Sequence, residues 1–277
     1  MSEKQAPKWN RDELLLSPLI ATLHPIISEF ETDDFPALQD INALLAAIHP
    51  AITVQNGMPL RYVPQERGKL PFEAQYEQRC FLKGEVPTRT HNWHDLFNAL
   101  VWMTFPKTKA ILNARHFRAL LEERASGICR RGALRDVNTL FDESGVIVVY
   151  SNAEIAALLR DFAWKELFWQ RREQVSTQMG FFLFGHGLYE KALQPYVGMT
   201  GQGMLLEVEQ EFFSWPQTRQ LEHADGFLAG YLAVPEHCRS TRELAPVPVL
   251  GYPGWAEDNV SASYYDNTAY FRQGRGG

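Results

Sequence analysis

The sequence predicts an α+β fold, a mainly helical single domain with a small antiparallel sheet. Three observations predict it. Apolar residues recur at helical spacing over 12–30, 36–48, 108–125, 153–161 and 218–233. The pattern changes to period two over 134–150. No internal repeat or low-complexity linker divides the chain.

Taken in order, 11–50 reads as a helical cover whose first helix is split by Pro18 and Pro25. Asn56-Gly57 marks a turn before a short extended run at 60–63, and 65–69 is a polar loop. The stretch 76–82 fits a helix or a strand. Central helices follow over 92–125. The first of them, within THNWHDLFNALVWMTFPKTK, is apolar at nearly every angle, interrupted only by His94, Asp95 and Asn98. Such a helix belongs inside the molecule, so those polar groups must be hydrogen-bonded, bound to something, or costly. Pro106 stops or kinks this helix, and Gly127 ends the next one.

The period-two segment predicts a hairpin over 137–150. Val137, Thr139 and Phe141 form one face, Asp142-Glu143-Ser144-Gly145 the turn with Gly145 at positive φ, and 146–149 the return strand. Helices and loops fill 153–233. Within them, 181–184 is a short apolar segment leading through Gly185 into a helix at His186, and Gly198, Gly201 and Gly203 surround Thr200 in an irregular loop. The Pro-, Gly- and Tyr-rich segment 245–277 has no sustained period and is expected to wrap over the body, burying Trp255 and several tyrosines.

Composition narrows the classes. The 277 residues carry a net charge of -6, which argues against a generic DNA-coating protein. Seven tryptophans and seventeen phenylalanines supply a bulky core. Cys80, Cys129 and Cys238 are odd in number and form no CxxC pair, which fits a reducing compartment. No apolar run reaches membrane-spanning length and the N-terminus has no leader pattern, so a soluble cytoplasmic protein without a membrane partner is expected.

The blocks NWHDLFNALVW with FPKTK, FDESGVIVV, FGHGLYEKALQPY and PVLGYPGW, in this order, resemble a bacterial family catalogued only as a domain of unknown function, numbered three thousand and twenty-five. The similarity runs over roughly 12–272 and implies a single-domain bacterial protein with no assigned activity. In that family an acidic or amide residue is more usual at the position of His91, and a lysine at that of Gln202. The first departure speaks against an essential role for His91, and the second against a phosphate-binding role for the glycine-rich loop around Thr200.

Chemistry is concentrated in a few constellations. His94 and Asn98 are four apart on a helix, so the amide can hold the imidazole in one tautomer and leave its other nitrogen as base or ligand. Asn92 reads as the N-cap, with Asp95 at the third helical position as its capping partner, which puts His91 outside the helix. His186 and Glu190 are also four apart, suited to a metal or to a carboxylate orienting an imidazole. Asp136, Asp142 and Glu143 are carboxylates of a kind that binds Mg²⁺, but turn formation explains the latter two.

A basic stretch holds Lys107, Lys109, Arg115, Arg118, Arg124, Arg130, Arg131 and Arg135. Of these, Lys107, Arg115, Arg131 and Arg135 are the candidates for binding an anionic, phosphorylated ligand; no nucleic-acid motif accompanies them. Two functions compete. One is an enzyme using His94, Asn98, His186, Glu190 and Asp95 for general acid/base or divalent-metal-assisted hydrolysis of a small anionic substrate. The other is a noncatalytic binding protein in which these residues form a structural network. They differ in whether His94 and His186 meet at a pocket.

Overall fold

The computed structural model describes residues 7–127 and 132–274. The N-terminal cover consists of short helices α1 (Arg11–Leu16), α2 (His24–Ile27) and α3 (Leu38–Ala47). It is tied to the body through aromatic packing: Trp9 stacks on Trp93 with centroids 5.8 Å apart, and the Trp93 indole donates to the carbonyl of Pro7. Strand β1 (Arg61–Pro64) follows, then α4 (Tyr76–Lys83), which resolves the ambiguous stretch as helix and is ended by left-handed Gly84. Strand β2 (Glu85–Thr88) pairs in parallel with β1.

Helix α5 (Trp93–Thr104) is the apolar central helix. Asn92 caps it through its side chain, which accepts from the Asp95 N–H, and nine of its residues are buried. The chain turns at Phe105 into α6 (Pro106–Ser126), with Pro106 in the first turn, where its missing N–H costs nothing, and Gly127 left-handed after the end. The buried Asp225 carboxylate accepts from the Lys107 and Thr108 N–H groups at this helix start.

The predicted hairpin is not formed. Residues 133–144 are helix α7 (Ala133–Ser144), and only β3 (Gly145–Tyr150) is a strand. Leu134, Val137 and Phe141 sit at i, i+3 and i+7, so they line one helix face as readily as Val137, Thr139 and Phe141 alternate along a strand. Gly145 has φ −65°, so no positive-φ turn exists. The partners of β3 come instead from distant sequence.

After α8 (Ala153–Arg160) and α9 (Arg172–Gln178), strand β4 (Met179–Leu183) runs antiparallel to β3. Helix α10 (His186–Ala192) starts directly after Gly185. Strand β5 (Thr200–Glu207) runs parallel to β3, so the glycines expected in an irregular loop lie in or just before a strand. Helix α11 (Gln217–Ala233) precedes β6 (Ala245–Pro248), which pairs antiparallel with β5. The sheet order is β4-β3-β5-β6, and the sheet is mixed rather than antiparallel.

Every residue of β3 is buried, as a strand covered on both faces requires, which explains its unbroken β-branched run. The C-terminal segment wraps in short turns. Tyr265 and Tyr270 are buried and Trp255 is half-buried. The α+β class holds, and no described helix is long and apolar enough to cross a membrane.

Candidate metal centre

Three helices deliver the polar groups. His94 lies in the first turn of α5, Asp142 and Glu143 in the last turn of α7, and His186 and Glu190 on α10. Helix α10 can approach α7 because two glycines flank His186. A Cβ on Gly185 would sit 2.4 Å from the Ser144 backbone nitrogen, and one on Gly187 would sit 2.7 Å from a Glu143 carboxylate oxygen. The FGHGLY block therefore brings the two helix ends together with no side chain between them. Stacking of Phe97 on Tyr189 and of Phe141 on Phe184 supports the junction from the core.

His94 Nε2 and His186 Nε2 face each other at 3.0 Å. Glu143 Oε1 lies 3.7 Å from the first and 3.5 Å from the second. Among the described residues, His94, Glu143 and His186 form a group able to hold a metal ion. Tetrahedral zinc with bonds of about 2.0–2.1 Å separates neighbouring donors by about 3.4 Å. The three observed edges straddle that value.

The outer nitrogens are also addressed. His94 Nδ1 is 3.0 Å from Glu190 Oε2, the carboxylate–imidazole arrangement that fixes a ligand's tautomer. His186, only 5% exposed, points Nδ1 toward Asp142 Oδ2 at 3.8 Å, too long for a hydrogen bond, and leaves that nitrogen buried without a partner. Asp142 accepts at 2.5 Å from buried Lys109 Nζ, which also donates to Asn98 Oδ1 at 2.8 Å. Burial would raise the Asp142 carboxyl, but the charge of Lys109 and then of His186 outweighs it and holds the group below its ordinary pKa. The contact with His186 likewise keeps Glu143 low against its partial burial.

Asn98 therefore does not orient His94 as its spacing predicts. Its amide donates at 2.7 Å to the Tyr76 hydroxyl, and Glu190, expected to serve His186, crosses to His94 instead. Spacing along one helix identifies neighbours, but a facing helix supplies closer ones. Asp95 accepts from the Arg89 backbone N–H and pairs bidentately with its guanidinium at the pocket wall, apart from the donor set. His91 is outside the helix, with φ 52°, stacked on Phe35.

The centre opens into a polar cavity of about 310 Å³, whose wall includes Tyr76, Glu77, Arg89, Asn98 and His116. Burial, then Cys80, Glu77 and Asp142, raise the Tyr76 phenol well above its ordinary value.

The basic stretch does not converge here. Arg115 is buried and donates to the carbonyls of Leu232, His237 and Cys238. Arg135 pairs with Glu123, and Lys107 is exposed at another groove. Arg130 and Arg131 lie outside the described residues, as does Cys129. Asp136 is in the first turn of α7, away from Asp142 and Glu143 in its last. Glu143, Asp142, Tyr76, Glu77 and His116 are among the pocket residues that spacing alone passed over; reading 133–144 as helix would have put Asp142 and Glu143 opposite the Val137 and Phe141 face.

The fold and site together define an α+β protein in which His94, Glu143 and His186, a group able to hold a metal ion, line a polar cleft. A family model described as a protein of unknown function, DUF3025, matches residues 60–275, and the chain belongs to this family. No curated protein and no solved structure matches it.

Proposed function

We propose that the chain is a metal-dependent hydrolase whose ion, zinc by the chemistry of the donors, is held by His94 Nε2, His186 Nε2 and Glu143. The convergence of these three atoms at edges of 3.0–3.7 Å carries the reading. Catalytic zinc sites use three protein ligands and leave the fourth position to water, whereas structural sites use four. Here all three residues line the cavity, which leaves room for a water beside them.

An ion held by His94, His186 and Glu143 would supply a Lewis acid and a water of lowered pKa, about 7 for zinc. Glu190 would hold the His94 imidazole with its Nε2 free for an ion, and binding would draw the 3.8 Å His186–Asp142 contact into a hydrogen bond for the buried Nδ1. Because the Tyr76 oxygen accepts from Asn98, its own proton is available to an oxyanion formed in the cavity.

The buried Asn98–Lys109–Asp142 chain favours a second reading, a noncatalytic protein with a structural network. One experiment separates them. The purified chain, stripped with chelator and titrated with zinc in a calorimeter, should bind one equivalent. His94→Ala and His186→Ala should each weaken binding by at least about 100-fold while the far-UV spectrum stays unchanged. No saturable zinc binding by the intact chain would sink the hydrolase reading and leave the structural network.

A further inference from the structure

We infer that the centre takes an uncharged hydrolysable group, such as an amide or ester, on a substrate that carries a cationic amine, with Glu77 as the residue that selects it. The inference rests on the metal reading above. The carboxylates around the cavity are Glu77, Asp95, Asp142 and Glu143, with Glu190 behind His94. Against them stand Arg89, spent on Asp95 through two side-chain hydrogen bonds, and Lys109, spent on Asp142 and Asn98. Among the described residues Arg89 is the only lysine or arginine that lines the cavity, Lys109 standing behind Asp142 and Asn98, and His116 is the one lining imidazole outside the donor set.

A divalent ion would balance the charges of Glu143 and Glu190. That leaves Glu77 without a cation. Its Oε2 accepts only from the neutral Asn113 amide among its described side-chain partners. Glu77 follows Tyr76 in the first turn of α4, and both line the cavity, so Glu77 lies on its Tyr76 side. A carboxylate or phosphate on the substrate would meet this charge with no uncommitted lysine or arginine among the described lining residues to hold it, whereas an ammonium would pair with it.

The test uses the zinc-loaded full chain and three hydroxamates that chelate zinc identically and differ at the far end: hexanohydroxamate, 6-aminohexanohydroxamate and adipic acid monohydroxamate. Calorimetry at low salt should find the amino compound binding about tenfold or more tighter than the carboxylate compound, with the neutral one between. Glu77→Gln, which keeps an acceptor for Asn113, should bring the amino and neutral compounds together while leaving zinc affinity unchanged. A carboxylate compound that binds as tightly as the amino one, or a preference untouched in Glu77→Gln, overturns this inference alone. Failure of the chain to take up zinc overturns it together with the metal reading.

Discussion

Lys109 shows how one side chain sets the state of several others. It is 4% exposed, and its ammonium is satisfied by Asp142 and Asn98 with the Trp102 ring at 5.6 Å. Breaking one side of a buried ion pair is far more costly than replacing both, because the remaining charge keeps its desolvation penalty. Lys109→Met should therefore destabilise the chain by about 3–5 kcal/mol in urea unfolding, with a further loss of about 10–100-fold in zinc affinity through the loosened Asp142. If Lys109→Met;Asp142→Leu together recovers the stability but not the affinity, the two effects separate. A Lys109→Met chain as stable as the parent would show that Asp142 does not depend on this cation.

At the scale of elements, the cavity wall depends on how α4 is fastened. Glu85, at the start of β2, pairs with Arg79 on α4 at 2.6 Å and with Arg61 on β1. Arg79, then Arg61, hold the Glu85 carboxyl below its ordinary value despite its burial. A depressed folded pKa means that this stabilisation is fully present above about 4.5, the value of an unpaired glutamate, and is lost as pH falls through the folded value. Glu85→Gln should lower unfolding stability by about 2 kcal/mol at pH 7 and by progressively less below pH 4.5. Melting curves of the two chains from pH 7 to pH 3 check this; a gap that stays constant would rule out the ion pair as its source. Because Tyr76 and Glu77 open the same helix, the same variant should also weaken any ligand contact made from that wall.

Across the whole molecule, the parts legible in the sequence were those with local causes. The central helix, its Asn92 cap, the Pro106 break and the Gly127 stop all follow from short-range rules. Residues 133–144 read as strand because Val137 and Phe141 satisfy both periods, and that reading moves Glu143 from a helix end to a turn. His94, His186 and Glu190 stood out as polar groups at helical spacing. Their pairing across α5 and α10, and the commitment of Arg115 to backbone carbonyls more than a hundred residues away, are tertiary facts with no local signature.

The Trp9–Trp93 stack ties the matter of sequence kinship to that of folding. Residues 60–275 carry the family likeness and all three donors, yet Trp93, the neighbour of His94, is held by Trp9, Phe35 and the Pro7 carbonyl. A chain started at residue 60 would leave the first turn of α5 with a bare aromatic face in water. It should melt earlier and more broadly than the full chain, and zinc should bind more weakly; a sharp transition at the parental temperature would disprove this. Inheritance and autonomy then have different borders here, and the smaller border omits the aromatic packing that holds Trp93, the residue before His94.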